Sequence, residues 1–162
     1  MKCDESLDLD TTKHGVLLHA GSDGGGGVHG GDPRLRRVGW SWVVTKPCGA
    51  QVGGISGSLQ HGDDHQTIPR AELFAVVHFA ANVKQAEHQR IVLWVDNSGT
   101  VDGCISMAYG WVAKGDTANG DLWGALNSHG GDRLRSGQLE VRKVKSHLPK
   151  EESMSRGFPY IA

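Results

Sequence analysis

The most constraining stretch of this sequence is Ile91-Val92-Leu93-Trp94-Val95, five apolar residues in a row that end abruptly at Asp96. A strand with one wet face alternates apolar and polar side chains, so an unbroken apolar run marks a strand covered on both faces. Such strands lie inside parallel or mixed sheets with helices packed against them. A helix of the right kind stands just upstream. Ala71 to Ala81 is almost continuously apolar, Thr67 is placed to cap it, and Pro69 fits its first turn. A helix that joins a strand to a following buried strand acts as a crossover, which makes the later pairing parallel.

The rest of the chain can be arranged around that pair. Gly15-Val16-Leu17-Leu18-His19-Ala20 reads as a first strand that ends at a glycine cluster running from Gly24 to Gly27 and on to Gly30 and Gly31. Val38, Trp40, Trp42 and Val44 alternate with Gly39, Ser41 and Val43, which predicts a second strand. Pro47 to Gly49 supply a turn, and Ile55, Gly57 and Leu59 mark a third strand. Short connections between these strands imply an antiparallel meander. Past Asp96, Asn97 or Ser98 can cap a helix through Val101 and Ile105, Asp121-Leu122-Trp123 with Leu126 predicts another, and Leu139 to Val144 a fifth strand. The predicted order is β-β-β-α-β-α-α-β, a mixed α/β sheet. The polar residues 1–13 read as a disordered lead-in to a single domain over residues 14–162.

At 162 residues the chain has enough length for one substantial core. A formal net charge of −1 argues against a histone-like or tail-type nucleic-acid binder. Arg34, Arg36 and Arg37, and the Arg142-Lys143-Lys145 stretch, remain as local basic patches. Cys3, Cys48 and Cys104 share no metal-type spacing and read as isolated thiols in a reducing compartment. The N-terminus lacks the apolar core of a secretory signal, and no apolar run approaches the roughly 20 residues of a membrane helix. The expectation is a soluble intracellular protein of the cytoplasm or nucleus. His61 and His65 have a zinc-like spacing, but a polar loop around Asp63 and Asp64 accounts for them. Gly25 to Gly30 formally fits G-x-G-x-x-G, yet that fingerprint needs a helix directly after it. Gly31-Asp32-Pro33 and the alternating second strand follow instead, which favours a hairpin loop over a dinucleotide site.

Three carboxylates stand where apolar segments meet polar ones: Asp23 before Gly24, Glu72 inside the apolar helix, and Asp96 after the buried strand. Each has a bland role available, as a turn residue, a partner for Arg70, or a helix cap. Burying a carboxylate costs several kcal/mol unless it is paired or bound to a metal, roughly the penalty of removing an ion from water. If the three converge, they form a hard-cation site suited to Mg²⁺ and phosphate chemistry.

The segments carrying these residues resemble the ribonuclease H family, in the form found free or attached to reverse transcriptases. The matching stretches are Ser22-Asp23-Gly24, Gly39-Trp40, Thr67-Ile68-Pro69-Arg70-Ala71-Glu72-Leu73 and Val95-Asp96-Asn97-Ser98. Asn119-Gly120-Asp121-Leu122-Trp123 and Val144-Lys145-Ser146-His147 follow in the family's order. The resemblance implies a five-stranded mixed sheet, with strands 1 to 3 antiparallel and strands 1, 4 and 5 parallel, flanked by helices. It implies hydrolysis of the RNA strand of an RNA–DNA hybrid by two Mg²⁺ ions, with Mn²⁺ as a substitute. Asp23 would bridge the metals, Asp96 would complete their shell, and Glu72 would also lie near the ribose 2′-hydroxyl. His147 would assist proton movement or product release. Gly24, Asn97 and Ser98 would contact substrate. The implied partners are the hybrid and, in a longer chain, a reverse transcriptase or other polyprotein domains. The pattern departs in one respect: the family's fourth carboxylate, on a last helix after the histidine loop, has no counterpart before Ala162. The expectation is therefore a C-terminally incomplete domain, with a catalytically impaired nucleic-acid-binding or polyprotein module as the alternative to an active nuclease.

Overall fold

The computed structural model describes residues 9–26, 32, 37–59 and 66–145. In chain order the elements are β1 (Leu9–Asp10), β2 (Leu17–Gly25), β3 (Gly39–Thr45), β4 (Gln51–Ser58), α1 (Ile68–Asn82), β5 (Val83–Lys84), β6 (Arg90–Val95), α2 (Ser98–Ala108), α3 (Gly120–Ser136) and β7 (Leu139–Lys143). The five longer strands form one sheet in the order β4-β3-β2-β6-β7. β2 with β3 and β3 with β4 pair antiparallel, whereas β2 with β6 and β6 with β7 pair parallel. The meander, the crossover and the central buried strand expected from the sequence are all present.

Local chemistry explains where α1 begins. The Thr67 hydroxyl accepts a hydrogen bond from the Arg70 backbone N–H at 3.3 Å, and Pro69 occupies the first turn. The helix is buried on two sides. Toward the sheet, Phe79 meets the Trp42 ring edge-on at 5.6 Å and Phe74 meets Trp40 at 5.2 Å. Toward α3, a Cβ added to Gly130 would stand 3.0 Å from the Ala80 side chain. Val76, Val77 and Phe79 are fully buried, and each side chain of this kind stabilises the fold by roughly 1.5–3 kcal/mol. His78 belongs to the same layer: the Trp42 indole N–H donates to its Nδ1 at 3.0 Å. Burial lowers the His78 pKa, so the imidazole is a neutral acceptor.

Two further contacts fix the helices. Trp123 packs over Gly103, where an added Cβ would approach the ring to 2.1 Å, so only glycine lets α2 and α3 lie this close. Arg133 of α3 reaches the end of α1, donating to the carbonyls of Ala80 and Val83 and to Gln85 Oε1. A cation there complements the negative end of the helix. On the other face of the sheet, Val92 and Trp94 are also buried, as the unbroken apolar run required. The Trp94 indole N–H donates to His19 Nδ1 at 3.1 Å.

The structure corrects three boundaries. Within the segment read as a lead-in, Leu9 and Asp10 pair in parallel with Val83 and Lys84, and Thr11 is fully buried. The buried Gln89 side chain ties this segment down, donating to Thr11 O at 2.5 Å while accepting from Ala86 N at 2.8 Å. The first strand is β2, which continues past Ala20 to Gly25, paired through to Gly25 opposite Gly39. The third strand is β4, which begins at Gln51 rather than Ile55. Both extensions run through polar and glycine residues because ladder hydrogen bonds need no apolar side chain. Cys48 and Cys104 are free thiols, and no helix among the described residues is long and apolar enough to cross a membrane. His61, His65, Arg34, Arg36 and Cys3 lie outside the described residues.

Candidate active site

Strand register brings two of the three carboxylates together. Ser22 lies opposite Val95 in the parallel β2–β6 pair, so the next residues, Asp23 and Asp96, emerge at the same end of adjacent central strands. Glu72 reaches them from α1 because β2 presses against that helix at Gly24. A Cβ at Gly24 would stand 2.7 Å from the Glu72 backbone N and 3.0 Å from Ala71 C, so any larger residue would push helix and strand apart. The Gly24 N–H donates to Asp23 Oδ1 at 2.9 Å.

Glu72 is the anomalous member of the group. It is only 4% exposed, and its Oε2 atom is buried with no hydrogen-bond partner among the described residues. Burial first, then the Asp23 charge, push its pKa from 4.5 up to about 8. A hydrogen bond with the Asp23 side chain and the Asp96 charge push in the same direction, while the Gly24 N–H opposes them. Without a cation, Glu72 is therefore protonated near neutral pH.

Asp96 is not the helix cap. Asn97 takes that role, its Oδ1 accepting from the Thr100 N–H at 2.9 Å, and Ser98 opens α2 beside it. Asp96 Oδ1 instead accepts from Lys143 Nζ at 3.3 Å. Nor does Arg70 serve as a simple partner for Glu72: its guanidinium grips Asp121 through two hydrogen bonds, of 3.0 and 2.6 Å, and reaches Asn119 Oδ1 at 3.2 Å. Asn119, in the left-handed region at φ 55°, thus turns its side chain to Arg70 rather than to capping α3. The two motif segments that carry Arg70 and Asp121 are bonded to each other, and this tie holds α1 against α3. His147 lies outside the described residues.

As the side chains stand, no three His, Cys, Asp or Glu groups among the described residues converge in an arrangement that holds a metal ion. Asp23 is engaged by the Gly24 N–H and Asp96 by Lys143. The donor chemistry nevertheless fits a hard divalent cation: all three groups offer carboxylate oxygen, and the orphaned Glu72 Oε2 is an atom that a cation would satisfy. The Arg142-Lys143 pair is not an open basic patch. Arg142 donates to Glu140 at 2.6 Å and lies over the Trp94 ring at 5.8 Å, while Lys143 turns to Asp96. Sequence reasoning missed the Lys143–Asp96 contact because its signal, Lys143 directly opposite Val95 in the β6–β7 register, exists only once the sheet is assembled.

No family model matches the sequence, and no curated protein matches it. Solved structures do. LC11-RNase H1, isolated from compost by a metagenomic approach, has a TM-score of 0.55 at 14% identity, over 87% of this chain and 90% of its own. The same protein in complex with RNA/DNA hybrid has a TM-score of 0.51 at 14% identity, over 80% and 86% of the two chains. The Prototype Foamy Virus protease–reverse transcriptase has a TM-score of 0.58 at 14% identity, over 87% of this chain and 19% of that longer one. At such identities the likeness is one of architecture, and it agrees with the strand order, the crossover and the helix positions described above. The chain has the ribonuclease H fold.

Proposed function

We propose that this chain hydrolyses the RNA strand of RNA–DNA hybrids, using divalent cations held by Asp23, Glu72 and Asp96. The observation that carries the proposal is the buried Glu72 carboxyl, whose Oε2 has no hydrogen-bond partner among the described residues and whose pKa is raised to about 8 by burial and by the neighbouring Asp23 and Asp96 charges. A fold gains no stability from such a group, whereas a site awaiting positive charge requires it. Two Mg²⁺ ions, or Mn²⁺ in their place, supply when bound an activated water and charge stabilisation at the leaving 3′-oxygen. Asp23, on the central strand, would hold the cations where they are shared. Asp96 completes the shell from the neighbouring strand. Glu72, reaching in from α1, takes the side where the ribose 2′-hydroxyl is distinguished. The Gly24 N–H orients both Asp23 and Glu72. Asn97 and Ser98 present the N-terminal turn of α2, whose positive dipole end suits a backbone phosphate. His147 is assigned proton movement or product release.

The LC11-RNase H1 complex with hybrid supports this substrate class, and the foamy virus chain supports a reverse transcriptase as the setting for such a domain. The test is a labelled RNA–DNA hybrid incubated with the folded protein and Mg²⁺ or Mn²⁺. Cleavage of the RNA strand, abolished by Asp96→Asn, is the expected result. Hybrid binding without cleavage at any metal concentration would replace the nuclease with a non-catalytic module.

A further inference from the structure

We propose that Lys143 is the internal counter-ion of this carboxylate site: its ammonium holds Asp96 in the metal-free protein and must be displaced when a divalent cation takes that carboxylate. The inference rests on the proposed function for the nature of the site and adds a residue that tunes its loading.

The geometry is specific. Lys143 is the last residue of β7 and lies opposite Val95, so its stem starts beside the strand end from which Asp96 emerges. Nζ stands 3.3 Å from Asp96 Oδ1. The neighbouring cation does not compete for this place, because Arg142 is committed to Glu140 and to the Trp94 ring. Asp23 and Glu72 are engaged differently, through the Gly24 N–H and through each other.

The contact is also built to open. Lys143 and Asp96 side chains are 48% and 35% exposed, so water can take over both charges when they part. Exposed ion pairs of this kind are weak, and a lysine ammonium on a flexible four-carbon stem swings away without disturbing the strand that carries it. A dication binding at Asp96 must compete with the ammonium for that carboxylate and also meets its repulsion. Removing the lysine charge should therefore tighten divalent-cation binding about three- to tenfold at low salt.

The experiment measures Mn²⁺ affinity directly, by electron paramagnetic resonance of free Mn²⁺ or by calorimetry, on wild type, Lys143→Met, Lys143→Arg and Asp96→Asn in low-salt buffer. The expected result is tighter binding for Lys143→Met, near wild-type binding for Lys143→Arg, and loss of high-affinity binding for Asp96→Asn. The gap between Lys143→Met and wild type should close as KCl approaches about 1 M, where the Debye length falls to about 3 Å. Equal affinities for wild type and Lys143→Met, with Asp96→Asn still weakened, would overturn the role of Lys143 and leave the metal site standing. Wild-type affinity in Asp96→Asn would instead overturn the site itself. Circular dichroism of each variant, with Lys143→Arg as the charge-preserving control, separates these outcomes from misfolding.

Discussion

Glu72→Gln should stabilise the metal-free protein, and only at neutral to alkaline pH. The folded-state pKa of Glu72 is raised from 4.5 to about 8 by burial and by the charges of Asp23 and Asp96. A group with a raised folded pKa contributes stability that is fully present below its unfolded pKa and lost as pH rises through the folded one. Between about pH 4.5 and 8 the native state holds a proton that the unfolded chain releases, so stability falls with rising pH across that window. At 1.36 kcal/mol per pKa unit, the upper bound on this loss is about 5 kcal/mol. Water at the mouth of the site and proton sharing with Asp23 screen it to about 1–2 kcal/mol. Glutamine keeps the shape and cannot ionise, so the variant should escape the loss. The assay is urea or thermal denaturation in EDTA at half-unit steps from pH 4.5 to 9. The curves should coincide near pH 4.5 and separate by about 3–6 °C in Tm near pH 8.5, the variant being the more stable. Mg²⁺ should close the gap by stabilising wild type selectively. Parallel wild-type and variant curves across the whole range would refute the argument that burial and the neighbouring carboxylates raise the Glu72 pKa.

Gly24→Ala should cost about 1–3 kcal/mol, because the new methyl meets the Glu72 backbone, which cannot rotate out of the way. Gly25→Ala, with nothing within 4 Å of the added Cβ, is the control and should stay within about 0.5 kcal/mol of wild type by urea denaturation. His78 titrates in the opposite sense to Glu72. Burial lowers its folded pKa below 6.5, so its contribution is present above pH 6.5 and lost as pH falls through the folded value. Denaturation midpoints should drop as pH falls below 6.5, and His78→Gln should flatten that limb; an unchanged limb would point to other groups.

Much of this architecture is written in local patterns. The unbroken Ile91–Val95 run predicts a strand buried on both faces, and Val92 and Trp94 are buried on the side away from α1. Thr67 and Asn97 cap the helices they were expected to cap, since a cap depends only on a side chain and an N–H a few residues on. The order of elements, and with it the mixed sheet, followed from periodicity and connection length. The three carboxylates stood out because each stands where an apolar segment meets a polar one.

Other features have no local signature. Leu9 to Thr11 form structure only because Val83, Lys84 and the buried Gln89 receive them from more than 70 residues away. Arg70 stands two residues from Glu72 in sequence, yet its guanidinium is committed across the helix pair to Asp121. Glycine at position 24 is required by a helix that approaches it nearly 50 residues later in the chain. The sequence by itself determined the five longer strands, the helices, their order and the identity of the acidic residues, because propensity, capping and alternation act over a few bonds. Tertiary structure alone decided that the buried Glu72 meets Asp23 and Asp96, that it has no counter-charge among the described residues, and that Lys143 meets Asp96. Charge interactions depend on distance and burial, and both are set by register and packing between segments far apart in the chain.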